Sequence, residues 1–181
     1  MPALVRPALA HMGSFVDALR EGYSRDTLRD ETPDSIAQIA DSPEWFLGQL
    51  NDPPTTIVLP DGSLGARVPE TPLWYVEGDA FLGSVHLRHR LNEILAQWGG
   101  HIGYAVRPSA QGRGHACAML AGMLDHARTH HRDLDRVMLT VNLKNPASMR
   151  VVEKNGGVFA DIVPHPWVPG DEGKRYWIAL R

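Results

Sequence analysis

Hydrophobic and polar positions follow two different periods along the chain, and the first third favours helices. Apolar residues from Ala8 to Tyr23 recur at helical spacing after a short strand candidate, LVRPAL. Residues 24–42 are polar and acidic. Ser42-Pro43-Glu44 then predicts a helix start before WFLGQL, with serine as the cap and proline in the first turn. Within the proline-rich and glycine-rich segment that follows, TTIVLP predicts a brief strand.

The middle of the chain has the pattern of a hairpin followed by a strand and a long helix. PLWYVEG and AFLGSVHLRH are rich in β-branched and aromatic residues and are joined by a tight turn at Gly78-Asp79. LNEILAQWGG predicts a short helix or a compact loop that ends at the glycine pair. HIGYAV predicts the next strand, and a helix of about twenty residues follows it.

The last third alternates strands with one helix. RVMLTVNL predicts a strand, and NPASMRVVEKNGG predicts a short helix with proline in its first turn and glycine at its end. VFADIV and KRYWIAL predict two closing strands separated by a proline-rich loop. A hairpin followed by this alternation predicts an α/β fold whose central strands carry helices on their faces.

Composition narrows the class of protein. The 181 residues are 43% hydrophobic, and 18 basic against 21 acidic residues give a formal charge of -3, which favours neither nucleic acid nor an anionic membrane as partner. The longest apolar stretch, Ala116 to Leu124, is nine residues, whereas a span needs about 20. The N-terminal sequence MPALVRPALAHMG has no secretory signal pattern, so we expect a cytoplasmic protein.

The cysteine content excludes two kinds of site. Cys117 is the only cysteine, so no internal disulfide forms, and no residues have zinc-ligand spacing, so we expect no metal. Cys117 lies in an apolar run, which favours a small buried hydrophobic role over that of a reactive thiol.

Two glycines and an arginine stand between the strand HIGYAV and the helix after it, in the sequence QGRGHA. A glycine-rich turn between a strand and a helix directs backbone N–H groups at an anion such as phosphate. The absence of side chains at Gly112 and Gly114 lets the anion approach, and Arg113 adds a cation at the rim. The patterns G-x-x-x-x-G-K-[ST] and G-x-G-x-x-G both fail here, which disfavours nucleoside triphosphate hydrolysis and dinucleotide binding.

QGRGHA fits the pattern [Q/R]-x-x-G-x-[G/A] and resembles the pyrophosphate-binding loop of the GNAT superfamily of acetyl-CoA-dependent N-acetyltransferases. NPASMRVVEKNGG is similar to the family's later helix, which begins at Asn and ends in E-K-x-G. The two motifs and the order of elements cover residues 71–181 well and the first 70 loosely. The resemblance implies one domain over residues 1–181, with a mixed, mostly antiparallel central sheet flanked by helices.

The resemblance also implies acetyl-CoA as the acetyl donor. The pantetheine arm would lie along the strand end at Ala105 and Val106, with the thioester carbonyl accepting a backbone N–H there. Asn145 corresponds to a cofactor-contacting asparagine of the family. The pyrophosphate would lie on the residues of the glycine-rich loop: Gln111, Gly112, Arg113, Gly114, His115 and Ala116.

The chain departs from the family pattern on the later helix. Many members carry a tyrosine immediately before E-K, as the acid that protonates the departing thiolate, and this chain has Val152 there. Ser148 lies one turn earlier on the face of Asn145 and Val152, and it resembles the serine of the branch that acetylates ribosomal protein N-termini. Ser148 is therefore the candidate acid and also a cofactor contact, with simple solvation of the helix as the alternative. Gly157 stands where the family usually has an aromatic residue.

Three side chains are candidates for the general base. His101 ranks first because it opens the strand that leads to the donor, and an imidazole pKa of about 6.5 suits proton removal near neutrality. Glu93, in the preceding insert, and His86, on the hairpin, are the alternatives. A water relay is a fourth route, and each histidine also has a structural interpretation.

The sequence predicts a class of acceptor and not a particular molecule. Residues 21–61 contain nine acidic and two basic residues, which indicates either a cleft wall that attracts a cationic amine or a solvated polar face. We expect a small-molecule amine or a protein N-terminus as substrate. The alternative is an acyl-CoA-binding regulatory module without turnover. Trp167 and Trp177 lie in the closing region and predict either a homodimer contact or completion of the core.

Overall fold

A computed structural model describes residues 1–24, 31–58 and 62–181. Its strands are β1 (Ala3–Val5), β2 (Thr56–Val58), β3 (Leu64–Ala66), β4 (Glu70–Glu77), β5 (Ala80–Arg88), β6 (Ile102–Val106), β7 (Arg136–Asn142), β8 (Val158–Pro164) and β9 (Glu172–Ala179). Its α-helices are α1 (Met12–Arg20), α2 (Pro33–Asp41), α3 (Pro43–Asn51), α4 (Glu93–Gln97), α5 (His115–His130) and α6 (Pro146–Lys154). Short 3₁₀ turns precede α1 and α5, at Leu9–His11 and Pro108–Ala110.

The strands form two main sheets and a small ribbon. The first sheet has the order β1-β4-β5-β6, the second has the order β7-β9-β8, and β2 pairs with β3. Every ladder between the described strands is antiparallel. The two sheets meet where Gly100 bridges to Leu139, just before β6 begins.

Each face of the first sheet covers its own hydrophobic core. Leu73 and Tyr75 of β4 face a core shared with α5, α6 and the second sheet. Trp74 and Val76 of the same strand face a core built with α1, α2 and α3. This alternation follows from the two-residue period of a strand that is buried on both faces. The helices therefore lie on opposite faces, and β6 is the strand at which the first sheet ends.

The aromatic core beneath α1 is closely stacked. Phe15 lies 4.7 Å from Trp74 and 5.3 Å from Phe46, centroid to centroid, and meets Phe81 edge-on at 5.1 Å. Such ring pairs contribute about 0.5–1.5 kcal/mol each beyond the area they bury. They fix α1 against the first sheet.

The α/β fold with a mostly antiparallel sheet and flanking helices is confirmed. Two elements were missed by the sequence analysis: α2 lies in the segment interpreted as merely polar, and β3 lies in the segment interpreted as a loop. The helix α5 has 16 residues, shorter than the predicted length. In the described part of the chain, no helix has both the length and the apolar character to cross a membrane.

The two tryptophans considered for a dimer contact have different surroundings. Trp167 is exposed, whereas Trp177 is half-buried with the Arg136 guanidinium 4.1 Å from its ring centroid. The homodimer stays a prediction.

Candidate active site

The edge strand β6 leaves one side open toward the second sheet. Its residues pair with β5 from Ile102 to Val106. On the other side, the His101 N–H donates to the Met138 carbonyl over 2.7 Å. Among the described strands, this edge of β6 has no pairing partner beyond that seam. We call the region between this edge and β7 the cleft; backbone groups of β6 lie along one side of it.

The glycine-rich turn lies at the end of β6 and starts α5 without a side-chain cap. Gly112 and Gly114 have φ angles of +76° and +85°, in the left-handed region that favours glycine. A Cβ atom on either glycine would meet nothing within 4 Å. The glycines are therefore required by backbone angle, and the space in front of them is open.

The first turn of α5 directs backbone donors into that open space. Ala118 is the first α5 residue whose N–H returns to the helix start, donating to the Gly114 carbonyl over 3.2 Å. The N–H groups of His115, Ala116 and Cys117 precede that bond and belong to the set that an uncapped helix leaves for outside acceptors. Arg113 is exposed beside them. The loop therefore leaves backbone donors for an outside acceptor, and we call it the cradle; binding of a pyrophosphate there stays a prediction.

A salt bridge from the other face of the sheet holds the chain that enters this cradle. The Arg107 guanidinium pairs with both carboxylate oxygens of Glu21, at the end of α1, and donates to the Ser14 hydroxyl over 2.9 Å. Ser109 donates to Glu21 over 2.7 Å. The hydrogen bonds from Arg107 and Ser109 lower the pKa of Glu21 to about 2. This network connects α1 to the residues just before the cradle.

Glu21 was counted among the acidic residues predicted to attract an amine, and it is bound to Arg107 instead. Asp26, Asp30 and Asp61 of the same set lie outside the described residues, as do both basic residues of that stretch. Attraction of the acceptor by an acidic wall stays a prediction.

The start of α6 differs from that of α5 because it is capped from within. The Asn145 side-chain oxygen accepts the Ser148 N–H at 3.0 Å, and Pro146 occupies the first turn. The amide of Asn145 therefore holds the first turn of α6 in place. Whether Asn145 also contacts a donor stays a prediction.

A tyrosine that the sequence analysis missed reaches across the cleft to Ser148. The hydroxyls of Tyr104, on β6, and Ser148, on α6, lie 2.6 Å apart, and Tyr104 also donates to the Ser148 carbonyl over 3.3 Å. Burial raises the pKa of Tyr104 to about 12, although its hydrogen bond with Ser148 acts in the opposite direction. The phenol is therefore a neutral donor throughout the physiological range.

The Cys117 side chain lies in the neighbourhood of Tyr104. It is half-buried, and its charge would further raise the pKa of Tyr104. The sequence analysis favours a small buried hydrophobic role for Cys117, and the structure shows a half-buried side chain in the first turn of α5, beside the cleft.

Val152 occupies the core and not the cleft. Its side chain is fully buried among the residues that pack beneath α5 and the second sheet. A Cβ atom on Gly157 would lie 2.5 Å from the Val152 Cγ1 atom and 2.9 Å from its carbonyl oxygen. Gly157 therefore lacks a side chain because Val152 fills that place.

His101, the first-ranked candidate base, links the two sheets through hydrogen bonds to Met138. Its side chain is 6% exposed, and its Nδ1 accepts the Met138 N–H at 2.9 Å. Burial, reinforced by the charge of Arg88, lowers the pKa of His101 to about 4. Glu93 lies exposed in the first turn of α4, which Asn92 caps. Both remain predictions as bases, and His101 has a structural role at the seam.

These features define an α/β fold with a cradle of backbone donors beside a cleft that holds a paired phenol and hydroxyl. Residues 35–158 match the family model of the acetyltransferase (GNAT) domain. The chain therefore belongs to the GNAT acetyltransferase family. A search of curated proteins found no match.

Solved structures share this fold at low sequence identity. A chimera of spermidine N-acetyltransferase SpeG from Vibrio cholerae and hSSAT is 17% identical with a TM-score of 0.62, over 99% of this chain and 96% of its own. The yncA protein from Salmonella typhimurium, with its cofactor acetyl-CoA, is 14% identical with a TM-score of 0.60, over 100% of this chain and 94% of its own. RimL, a ribosomal L7/L12 alpha-N-protein acetyltransferase in complex with coenzyme A, is 13% identical with a TM-score of 0.62, over 98% of this chain and 93% of its own.

Proposed function

We propose that this protein is an N-acetyltransferase that moves an acetyl group from acetyl-CoA to the primary amine of a small molecule or a protein N-terminus. The observation that carries this proposal is the Tyr104–Ser148 pair, 2.6 Å between hydroxyls, standing in the cleft beside the cradle. Transfer to an amine needs a held thioester and a proton for the departing thiolate. The cradle serves the first need and the hydroxyl pair serves the second.

Two stretches of backbone bind two parts of the donor, the pyrophosphate and the pantetheine arm. The loop from Gln111 to Ala116 receives the pyrophosphate through the N–H groups that follow Gln111, whose own N–H donates to the Pro108 carbonyl over 3.2 Å. An uncapped helix start favours a negative charge there. The open edge of β6 at Ala105 and Val106 receives the pantetheine arm and offers a backbone N–H to the thioester carbonyl. Structures similar to this chain hold acetyl-CoA or coenzyme A, which supports this donor.

Ser148, hydrogen-bonded to Tyr104, donates the proton to the thiolate. A phenol is a stronger acid than an aliphatic hydroxyl. Tyr104 therefore either returns a proton to Ser148 or protonates the thiolate directly. This pair replaces the tyrosine that the family places at the position of Val152. A module that binds acyl-CoA without turnover was the alternative, and it rested mainly on that missing tyrosine.

Acceptors of the similar structures, spermidine and the N-terminus of ribosomal protein L7/L12, are amines. They support an amine acceptor for this protein and leave open a choice between a small molecule and a peptide.

The test measures CoA release from acetyl-CoA with polyamines, aminoglycosides, amino acids and short peptides, for the parent protein, Ser148→Ala and Tyr104→Phe. We expect at least one amine to stimulate release. Each variant should lose roughly 10²-fold in kcat, the lower end of what a positioned acid supplies.

Tyr176→Phe is the matched control for Tyr104→Phe. The Tyr176 phenol is also largely buried and donates to Glu153 over 3.0 Å, but away from the cleft. We expect it to leave kcat unchanged. Acetyl-CoA binding without release by any amine would overturn the enzyme proposal and favour the binding module.

A further inference from the structure

A second polar group lies on the opposite face of the same strands. On β5, Val85 and Leu87 face the core beneath α5, so the residues that alternate with them, Ser84 and His86, face the α1 side. Directly opposite residues of an antiparallel pair share a face. His86 pairs with Gly103 of β6, and Ser84 pairs with Ala105.

The His86 imidazole lies over β6 itself. A Cβ atom on Gly103 would come within 2.6 Å of the His86 Cε1 atom and 2.7 Å of Nε2, and within 3.6 Å of Nδ1. Gly103 therefore leaves room for the ring, whose Cε1–Nε2 edge is the part nearest to β6. On the same face, two residues further along β6, Ala105 is where the thioester is proposed to lie.

Glu70 of β4 lies on the same face as His86, because it stands two residues from Pro72, the β4 residue that pairs with His86. Glu70, on β4, is in register with Arg88 of β5 and forms a salt bridge with Arg67 at 2.7 Å. Burial raises the pKa of Glu70, but the charges of His86, Arg67 and Arg88 outweigh it and hold that pKa below its usual value. The Glu70 carboxylate and a positive charge on the neighbouring His86 ring therefore stabilise each other.

The other candidate bases are placed less well. The Nδ1 atom of His101 accepts a backbone N–H at the seam, and Glu93 is exposed on α4. His86 is the candidate whose ring contacts the strand that carries the proposed thioester site.

We propose that His86 is the general base of the acetyl transfer and that Glu70 is a positioning residue for it. This inference rests on the proposed function. The acceptor ammonium gives one proton to His86, and its nitrogen then attacks the thioester carbonyl carbon. The N–C bond forms, the C–S bond breaks, and the sulfur leaves with the electron pair and takes a proton from the Tyr104–Ser148 pair. The second nitrogen proton restores that pair, and His86 releases its proton to solvent.

The test compares pH profiles of kcat/KM for the amine in the parent, His86→Gln and Glu70→Gln. We expect His86→Gln to lose roughly 10²-fold at neutral pH, with the loss shrinking at alkaline pH, where the free amine is abundant. Its affinity for acetyl-CoA should be unchanged. In Glu70→Gln, kcat/KM should fall by less than in His86→Gln. The acid limb of its profile should shift to lower pH, because the carboxylate no longer stabilises the protonated His86 ring.

His130→Gln is the matched control, since His130 is exposed on α5 far along the helix from the cradle. A His86→Gln profile that keeps both the parent rate and the acid limb would overturn the proposal. The same holds if acetyl-CoA affinity falls in step with the rate, because that result indicates a structural role.

A second measurement does not depend on turnover. If no amine stimulates the parent, the proposed function fails, and the imidazole nitrogens of His86 are followed by NMR as acetyl-CoA is added. A shift of the His86 resonances, absent for His130, supports a ring facing the donor. No shift overturns the placement of His86 at the acetyl group.

Discussion

Two helices begin at the cleft, and their first turns are built in opposite ways. The start of α5 has a glycine as its N-cap residue and no side-chain cap, whereas the start of α6 is closed by Asn145. An uncapped first turn keeps its N–H groups for an outside acceptor, and a capped one satisfies them internally. In the proposed site, α5 therefore offers backbone N–H groups, whereas α6 offers a side chain, Ser148.

The largest effect should follow from filling the open start of α5. Gly114→Ala places a side chain at a φ of +85°, which costs about 1–2 kcal/mol of folding free energy. The new methyl group also occupies the space proposed for the pyrophosphate. We expect the Kd for acetyl-CoA to rise at least roughly tenfold, which corresponds to about 1.4 kcal/mol, as measured by calorimetry.

Gly156→Ala is its matched control. Gly156 also has a φ of +85° with open space around it, but it follows α6 instead of preceding α5. We expect a similar loss in the free energy of unfolding and no change in acetyl-CoA affinity. Equal losses of affinity in both variants would show that strain alone weakens binding, and the cradle would then have no special role.

An intermediate effect should follow from opening the closed start of α6. Asn145→Ala removes the cap and should lower the free energy of unfolding by about 1 kcal/mol. It should also lower kcat, because Ser148 loses the hydrogen bond that fixes its turn. Denaturant unfolding and steady-state kinetics measure the two effects.

Asn92→Ala provides the comparison, since Asn92 caps α4 through the same kind of bond, accepting the Leu95 N–H at 2.9 Å. Asn92→Ala should lower the free energy of unfolding by a similar amount and leave kcat unchanged. Asn145→Asp keeps the capping oxygen and should retain stability. If Asn145→Asp nevertheless loses acetyl-CoA affinity, the amide itself contacts the donor, as the family resemblance implies.

The smallest effect concerns the salt bridge behind the cradle. The pKa of Glu21 lies at about 2, below the ordinary 4.5, so the native state favours the carboxylate. Its contribution to stability is present above pH 4.5 and is lost as the pH falls toward 2. We expect Glu21→Gln to flatten the decline in melting temperature over that window, and Asp125→Asn, which breaks an exposed pair with Arg128 on α5, to leave it unchanged. An acid profile identical to the parent in Glu21→Gln would contradict this account.

The parts of the site that are local in sequence were predictable. The turn from Gln111 to Ala116 is determined by its own residues, because glycine permits the turn and a helix begins directly after it. The helix α2 also has a local start signal: Thr32 caps it by accepting the Ser35 N–H at 3.1 Å, and Pro33 stands in its first turn. Its acidic composition masked that signal.

Contacts between distant residues were not predictable in the same way. Tyr104 and Ser148 are 44 residues apart, and they meet only because β6 and α6 pack against the same core. His101 looked like a base because it precedes β6, but its bond to Met138 spans 37 residues. Sequence spacing places such residues on their own elements and gives no distance between the elements.

Val152 and Gly157 carry a consequence for the evolution of this chain. A side chain at 157 would lie 2.5 Å from the Val152 Cγ1 atom and 2.9 Å from the Val152 carbonyl oxygen, so it would meet both the side chain and the backbone of residue 152. We expect homologues that keep a small residue after the helix-ending glycine to keep this tight turn. Lineages that gain an aromatic residue at 157 would have to shift the end of α6 as well as change residue 152, so the exchange is expected only together with further substitutions in this turn.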